Sequence, residues 1–193
     1  MKKFNVLMLG VMGLLSLSLN PSYSSAFEIS TLDILQSYRA QNVIDWKVGD
    51  KMVYSVKAGP FGNVGNMEKE VKSDDGKILV IRQFMGLPGN DQEIEIWLDK
   101  TNGEVVKVIR NGKEEQIPDD NLEVIDQNYE TITVAAGTFD CIHIVAKTDQ
   151  IPKIEVWANP QAIVMDGVAK QFMQTNLVPL TMELTSFENG TNN

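Results

Sequence analysis

Residues 129–147, YETITVAAGTFDCIHIVAK, decide how the chain is read. Two runs rich in Thr, Val and Ile flank Ala135-Ala136-Gly137. β-Branched side chains at that density suit a pleated surface, and Gly137 supplies a position free to take φ > 0 at the junction. The stretch therefore reads as two strands joined by a bend. In the second run, alternation sets Phe139, Cys141, His143 and Val145 on one face and Asp140, Ile142, Ile144 and Ala146 on the other. Both faces are largely apolar, which predicts a strand covered on both sides, in the middle of a sheet or along a cavity wall.

Upstream of it, from Trp46 onward, the pattern repeats. Runs at 51–58, 67–73, 77–84, 92–98 and 104–110 are short and β-branched or alternating. Their separators carry turn chemistry: 59–65 with its glycines and Pro60, Asp74-Asp75-Gly76, 87–90 (LPGN), Asn102-Gly103 and Asn111-Gly112. Downstream come a run at 153–158, a segment containing Gly167, and a last run near 180–187. Strands in series with short connections predict an antiparallel meander. In 92–98, Glu93 and Glu95 alternate with Ile94, Ile96 and Leu98, and Trp97 shares parity with the acids. In 51–58, Met52, Tyr54, Val56 and Ala58 oppose Lys51, Val53, Ser55 and Lys57. A sheet wet on one side and apolar on the other must curl on itself, pack on a second sheet, or wrap a helix or ligand.

Residues 1–26 have the form of an export signal. Lys2 and Lys3 give a positive start, 6–17 is an apolar core, and Ser24 and Ala26 are small residues suited to cleavage after Ala26. With no Cys near that point, lipid attachment is not expected, and a bacterial periplasmic or secreted protein is. Residues 27–188 then form one β-rich domain, of a size that buries roughly 70% of the unfolded chain's surface. The Asn/Gly/Thr-rich stretch 189–193 is expected to be a disordered tail. A short helix is predicted at 30–40: Ser30 is a candidate N-cap, Asp33 falls in the first turn, and Leu32, Leu35 and Tyr38 follow helical spacing. It packs on the sheet or gates an apolar cavity.

The chain has 17 Lys+Arg against 26 Asp+Glu, a net charge of −9, and two of those cations lie in the leader. So acidic a surface argues against nucleic acid or anionic headgroups as partners. One Cys and one His leave little for redox or metal chemistry. Cys141 and His143, two apart on a strand, share a face at roughly 7 Å, but a metal site or a thiol–base pair needs further groups. The acids Asp119, Asp120, Glu123 and Asp126 lack the spacing of a calcium loop and read as solvated. Gly59, Gly62 and Gly65 follow a strand without a helix behind them to face a phosphate. No cofactor, no metal and no enzymatic activity is expected. Met52, Met85, Met165, Met173 and Met182 lie among the strand-like runs, where methionine fills irregular cores or adapts to varied apolar ligands.

Segments 133–141 (TVAAGTFDC), 155–160 (EVWANP), 167–170 (GVAK) and 181–187 (TMELTSF) resemble a group of bacterial exported proteins with a T-V-x-A-G-T-F-x-C motif. Residues 96–107 (IWLDKTNGEVVK) are similar to a hairpin of the lipoprotein-carrier (LolA/LolB-like) proteins, and 46–54 (WKVGDKMVY) resembles the opening strand of both groups. The resemblance implies a mainly β fold, a single curved antiparallel sheet forming a half-barrel around a short N-terminal helix, with an apolar concave face. It supplies no catalytic residues. The function expected is binding of a lipid or other hydrophobic ligand in that concavity, with Trp46, Tyr54, Trp97, Phe139 and Trp157 as candidate wall residues. The alternative is a cell-envelope interaction module with a filled core, met by a protein partner on a strand edge or on the outer face.

Overall fold

The turn residues do what their chemistry requires. Asn111 and Gly112 both take positive φ, 46° and 77°, as a tight hairpin between twisted strands demands. Asp75 Oδ1 accepts the N–H groups of Lys77 and Ile78 at 2.9 and 2.6 Å, closing the Asp74-Asp75-Gly76 turn. Punctuated this way, the described residues form eleven strands. The computed structural model describes residues 44–87, 89, 91–117 and 122–191. The leader 1–26 and the helix expected at 30–40 lie outside the described residues, as do Asp119 and Asp120.

In chain order the strands are β1 Lys51–Ala58, β2 Asn63–Asp74, β3 Ile78–Gly86, β4 Gln92–Asp99, β5 Val105–Arg110, β6 Lys113–Glu115, β7 Glu123–Val134, β8 Gly137–Lys147, β9 Lys153–Ala158, β10 Val168–Gln174 and β11 Leu180–Glu188, with a 3-10 turn at Gly59–Phe61. They form a single sheet in the order β6-β5-β4-β3-β2-β1-β11-β10-β9-β8-β7, antiparallel throughout. Two meanders are joined where β1 pairs with β11. Asp50 ties that junction: its Oδ2 accepts the Lys47 N–H and its Oδ1 the Gly190 N–H, each at 2.8 Å.

The sheet is a curved half-barrel, mainly β as expected, and chain length alone requires the curvature. Eleven strands laid flat would set the edges about 48 Å apart. The link from Glu115 on one edge to Glu123 on the other reaches at most about 28 Å. The edges must approach, yet β6 and β7 do not pair and the barrel stays open. The tip of the β7–β8 hairpin also curls over: Ala136 N–H donates to Leu184 O of β11 at 3.2 Å, past two intervening strands.

The inner face is the core. It carries Met52, Tyr54 and Val56 of β1, Met67 and Val71 of β2, Leu79 and Ile81 of β3, Ile94, Ile96 and Leu98 of β4, Ile144 of β8, Ile154 and Val156 of β9, and Met182 and Leu184 of β11, all buried. The stretch 129–147 is not in the middle of the sheet: β8 is next to last and β7 forms the edge. β8 is nevertheless covered on both sides over part of its length, with Cys141 and His143 buried on one face and Ile144 and Ala146 on the other. That double cover, not a central place, is what its apolar alternation records.

Candidate functional site

Among the described residues neither a second sheet nor an α-helix lies over the inner face; an irregular loop covers its centre. Residues 159–167 link β9 to β10 and close on themselves: Asn159 N–H donates to Gly167 O at 2.8 Å, and Asn159 O accepts from Ile163 N–H at 3.0 Å. The Asn159 side chain accepts from Gln161 and Ala162 and donates through Nδ2 to Asp140 O, so it fixes the loop to β8. Gly167 takes φ 74°, and a Cβ there would stand 2.3 Å from Pro160 N, so only glycine fits the closure. Met165 also holds a positive φ, 56°, which is uncommon outside glycine.

This loop sends Ile163 and Met165 into the core, exposed by only 2% and 3%. Between them and β10 stands Asp166, whose carboxylate forms an ion pair with Lys69 Nζ of β2. Lys69 shares parity with Met67 and Val71 and so points inward, where both partners are almost fully withdrawn from water, at 3% and 1%. Asp166 Oδ1 further accepts Val168 N–H at 3.3 Å, and Tyr54 OH donates to Val168 O at 2.9 Å. Gln83, opposite Lys69 in β3, is buried with its Oε1 unpartnered. The centre of the concavity is thus a plug of two apolar side chains latched by one buried charge pair. A desolvated pair repays its desolvation only while both members are present, so the latch holds firmly or not at all.

The residues named from the sequence fall in three places. Trp46 and Tyr54 are buried in the inner core, with Met52, Met67, Met85, Met165, Met173 and Met182 in the same cluster. Trp97 lies on the outer face with Glu93 and Glu95, beneath the Lys107 ammonium at 5.1 Å from its ring. Trp157 is also outside the concavity: it stacks on His143 at 4.2 Å, sits under Lys170 at 5.0 Å, and donates Nε1–H to Glu130 at 2.7 Å. Phe139 shares parity with Cys141 and meets Phe187 at 6.4 Å between ring centroids. The five do not line one wall. Lys69 and Asp166 carried no signal in the sequence, since a lysine within EKEVK reads as solvated and its partner is 97 residues away.

Cys141 and His143 do share a face, as expected. His143 stands 3.5 Å from Glu130 and from Glu155, one at each ring nitrogen. Burial, followed by the nearby Asp140 and Glu130 carboxylates, pushes the Cys141 thiol up to about 11, which keeps it protonated and unreactive. A separate cleft of about 510 Å³ opens beside the start of β1, lined by Asp45, Lys47, Asp74 and Lys100. Trp46 and Val48 also line it, but the walls are mostly polar, which does not suit an apolar guest.

No protein-family model and no curated protein matches the sequence. Among solved structures the chain is similar to a hypothetical protein from Chlamydia trachomatis, with a TM-score of 0.50 at 7% identity, over 82% of this chain and 94% of that one. A Bacteroides fragilis protein described as exported and as having a YmcC-like fold gives 0.45 at 11% identity, over 76% and 99%. MucB of Pseudomonas aeruginosa, solved with MucA, gives 0.41 at 10% identity, over 88% of this chain and 58% of MucB. At 7% identity the likeness to the Chlamydia trachomatis protein is one of fold alone.

Proposed function

We propose that this is an exported protein of the bacterial cell envelope that takes up an apolar group, such as an acyl chain, on the inner face of its half-barrel when loop 159–167 withdraws. One observation carries the reading: a methionine-rich apolar face, interrupted at its centre by Lys69 and Gln83, is closed there by an irregular loop, with no second layer among the described residues. Methionine adapts to guests of varied shape. The leader read at 1–26 sets the compartment. On this reading the work is binding, with no chemical step.

The magnitudes are consistent with reversible loading. Burying an acyl chain of about ten carbons gains about 8 kcal/mol, and re-exposing Ile163 and Met165 costs about 3–6 kcal/mol. The difference, about 2–5 kcal/mol before the cost of parting the Lys69–Asp166 pair, limits uptake to between about tens of millimolar and about a few tenths of a millimolar. Weakening the latch should therefore tighten uptake. The test is native mass spectrometry of protein purified from its host, with organic extraction, alongside titration of a fluorescent fatty acid into wild type and Asp166→Asn. A stoichiometric lipid and tighter probe uptake by the variant are expected. A clean apo mass with no uptake by either protein would sink the proposal.

A further inference from the structure

The two edges of the sheet differ. β6 is a strand of 3 residues that begins with Lys113, and so short and charged an edge offers little to a neighbour. β7 is 12 residues long, exposed along nearly all of its length, and among the described residues pairs only with β8. Its sequence, EVIDQNYETITV, contains no Lys, Arg or Pro, and the charges that guard this edge are all negative: Glu123, Asp126 and Glu130. A bulge between Val124 and Asp126 breaks the register near one end. Beyond it the strand runs regularly to Val134, with Tyr129 81% exposed.

We propose that β7 is a docking strand for an extended, cationic segment of another protein, which adds to the sheet beside it. Charge selects the occupant. The register places Asp126 and Glu130 on the face that β7 shares with His143, and Tyr129 on the opposite face. Glu130 is held in position by Trp157 Nε1 at 2.7 Å. An incoming strand with cations on alternate residues meets Asp126 and Glu130 on one face and lays its apolar residues over Tyr129 on the other. A second copy of this chain is disfavoured. It would set two acidic edges side by side, each from a chain of net charge −9. The edge backbone, Asp126 and Glu130 lie off the inner face and Tyr129 alone projects on its side, beside Ile142, so the inference does not rest on the ligand-binding reading.

The test uses two labelled peptides of about ten residues, one alternating Lys with Val and the other Glu with Val, titrated into the protein by fluorescence anisotropy. Hydrogen exchange is followed across 123–134. The Lys peptide should bind and slow exchange in β7, and Asp126→Lys combined with Tyr129→Lys should weaken it at least about tenfold. Both positions are exposed, so the urea midpoint of the variant should match wild type, which separates lost docking from lost folding. Absence of binding, equal binding of the Glu peptide, or protection that falls outside β7 would overturn the proposal. Self-association in sedimentation that Tyr129→Lys abolishes would also overturn it, and would identify the occupant as a second copy.

Discussion

Replacing Lys69 with Met leaves the Asp166 carboxylate in the core without its cation. Both side chains are nearly fully buried, at 3% and 1%, and the carboxylate keeps only neighbours such as the Val168 N–H at 3.3 Å. Removing one member of a buried pair costs about 3–5 kcal/mol, whereas an exposed pair is worth about 0–1 kcal/mol. Set against a total stability of about 5–15 kcal/mol, the loss is large without abolishing folding. With a urea slope of about 2 kcal/mol per molar, the midpoint should fall by about 2 M. Asp166→Asn added to Lys69→Met removes the second charge and should recover most of the loss, to within about 1 M of wild type. Tryptophan fluorescence in urea, with all three variants in one double-mutant cycle, reads the coupling directly. A Lys69→Met midpoint within about 0.5 M of wild type at unchanged slope would refute the idea that a desolvated pair latches the loop.

Three further outcomes are expected. The Cys141 thiol should ignore a thiol reagent at pH 8 in the native protein and react once unfolded; because its pKa rises on folding from 9.0 to about 11, stability should decline as pH climbs through that interval. Urea midpoints measured across it should show a slope that Cys141→Ala flattens, and an unchanged slope would contradict burial of the thiol. Asp75 moves the other way: the N–H groups of Ile78 and Lys77 lower its pKa below 3.8, so its contribution is full above that value and lost as pH falls beneath it. Asp75→Asn should flatten the acid limb of the stability profile, and a profile identical to wild type would refute this. Gly167→Ala should cost at least about 2 kcal/mol in urea unfolding, since the left-handed φ and the contact with Pro160 both oppose a side chain. A midpoint equal to wild type would show that the loop closes differently.

Where a strand has one wet and one dry face, the sequence displays it. β1 runs over 51–58 as its alternation predicts, and β4 extends the expected 92–98 only by Asp99. Glu123 and Asp126 read as solvated loop acids, yet both lie in β7, and the short β6 gave no strand signal at all. An edge strand exposed on both faces has no apolar alternation to show, and its ladder is made by the backbone. β2 starts at Asn63 instead of 67 for a related reason. Gly65 pairs with Val56, and a Cβ there would stand 2.2 Å from Gly86 O, so a residue that reads as a turn is needed for close strand approach. The latch was out of reach because Lys69 and Asp166 meet only through the topology. Trp97 and Trp157, chosen as aromatic wall residues, occupy the outer face, where parity with the acids already placed Trp97.

The pairing of β1 with β11 has a consequence for the order in which the molecule can assemble. It joins the first strand to the last, and Lys51 faces Glu188 across nearly the whole described chain. Each meander can zip locally as it appears, since its neighbours in space are neighbours in sequence, but the seam between them cannot close until the final strand has emerged. A chain still being synthesised therefore presents half-sheets with open sides, and a polypeptide in that condition is prone to aggregate and in need of a chaperone. Completion of the fold is timed by arrival of the carboxyl end, so a chain truncated before β11 should accumulate as aggregate and not as a smaller stable domain.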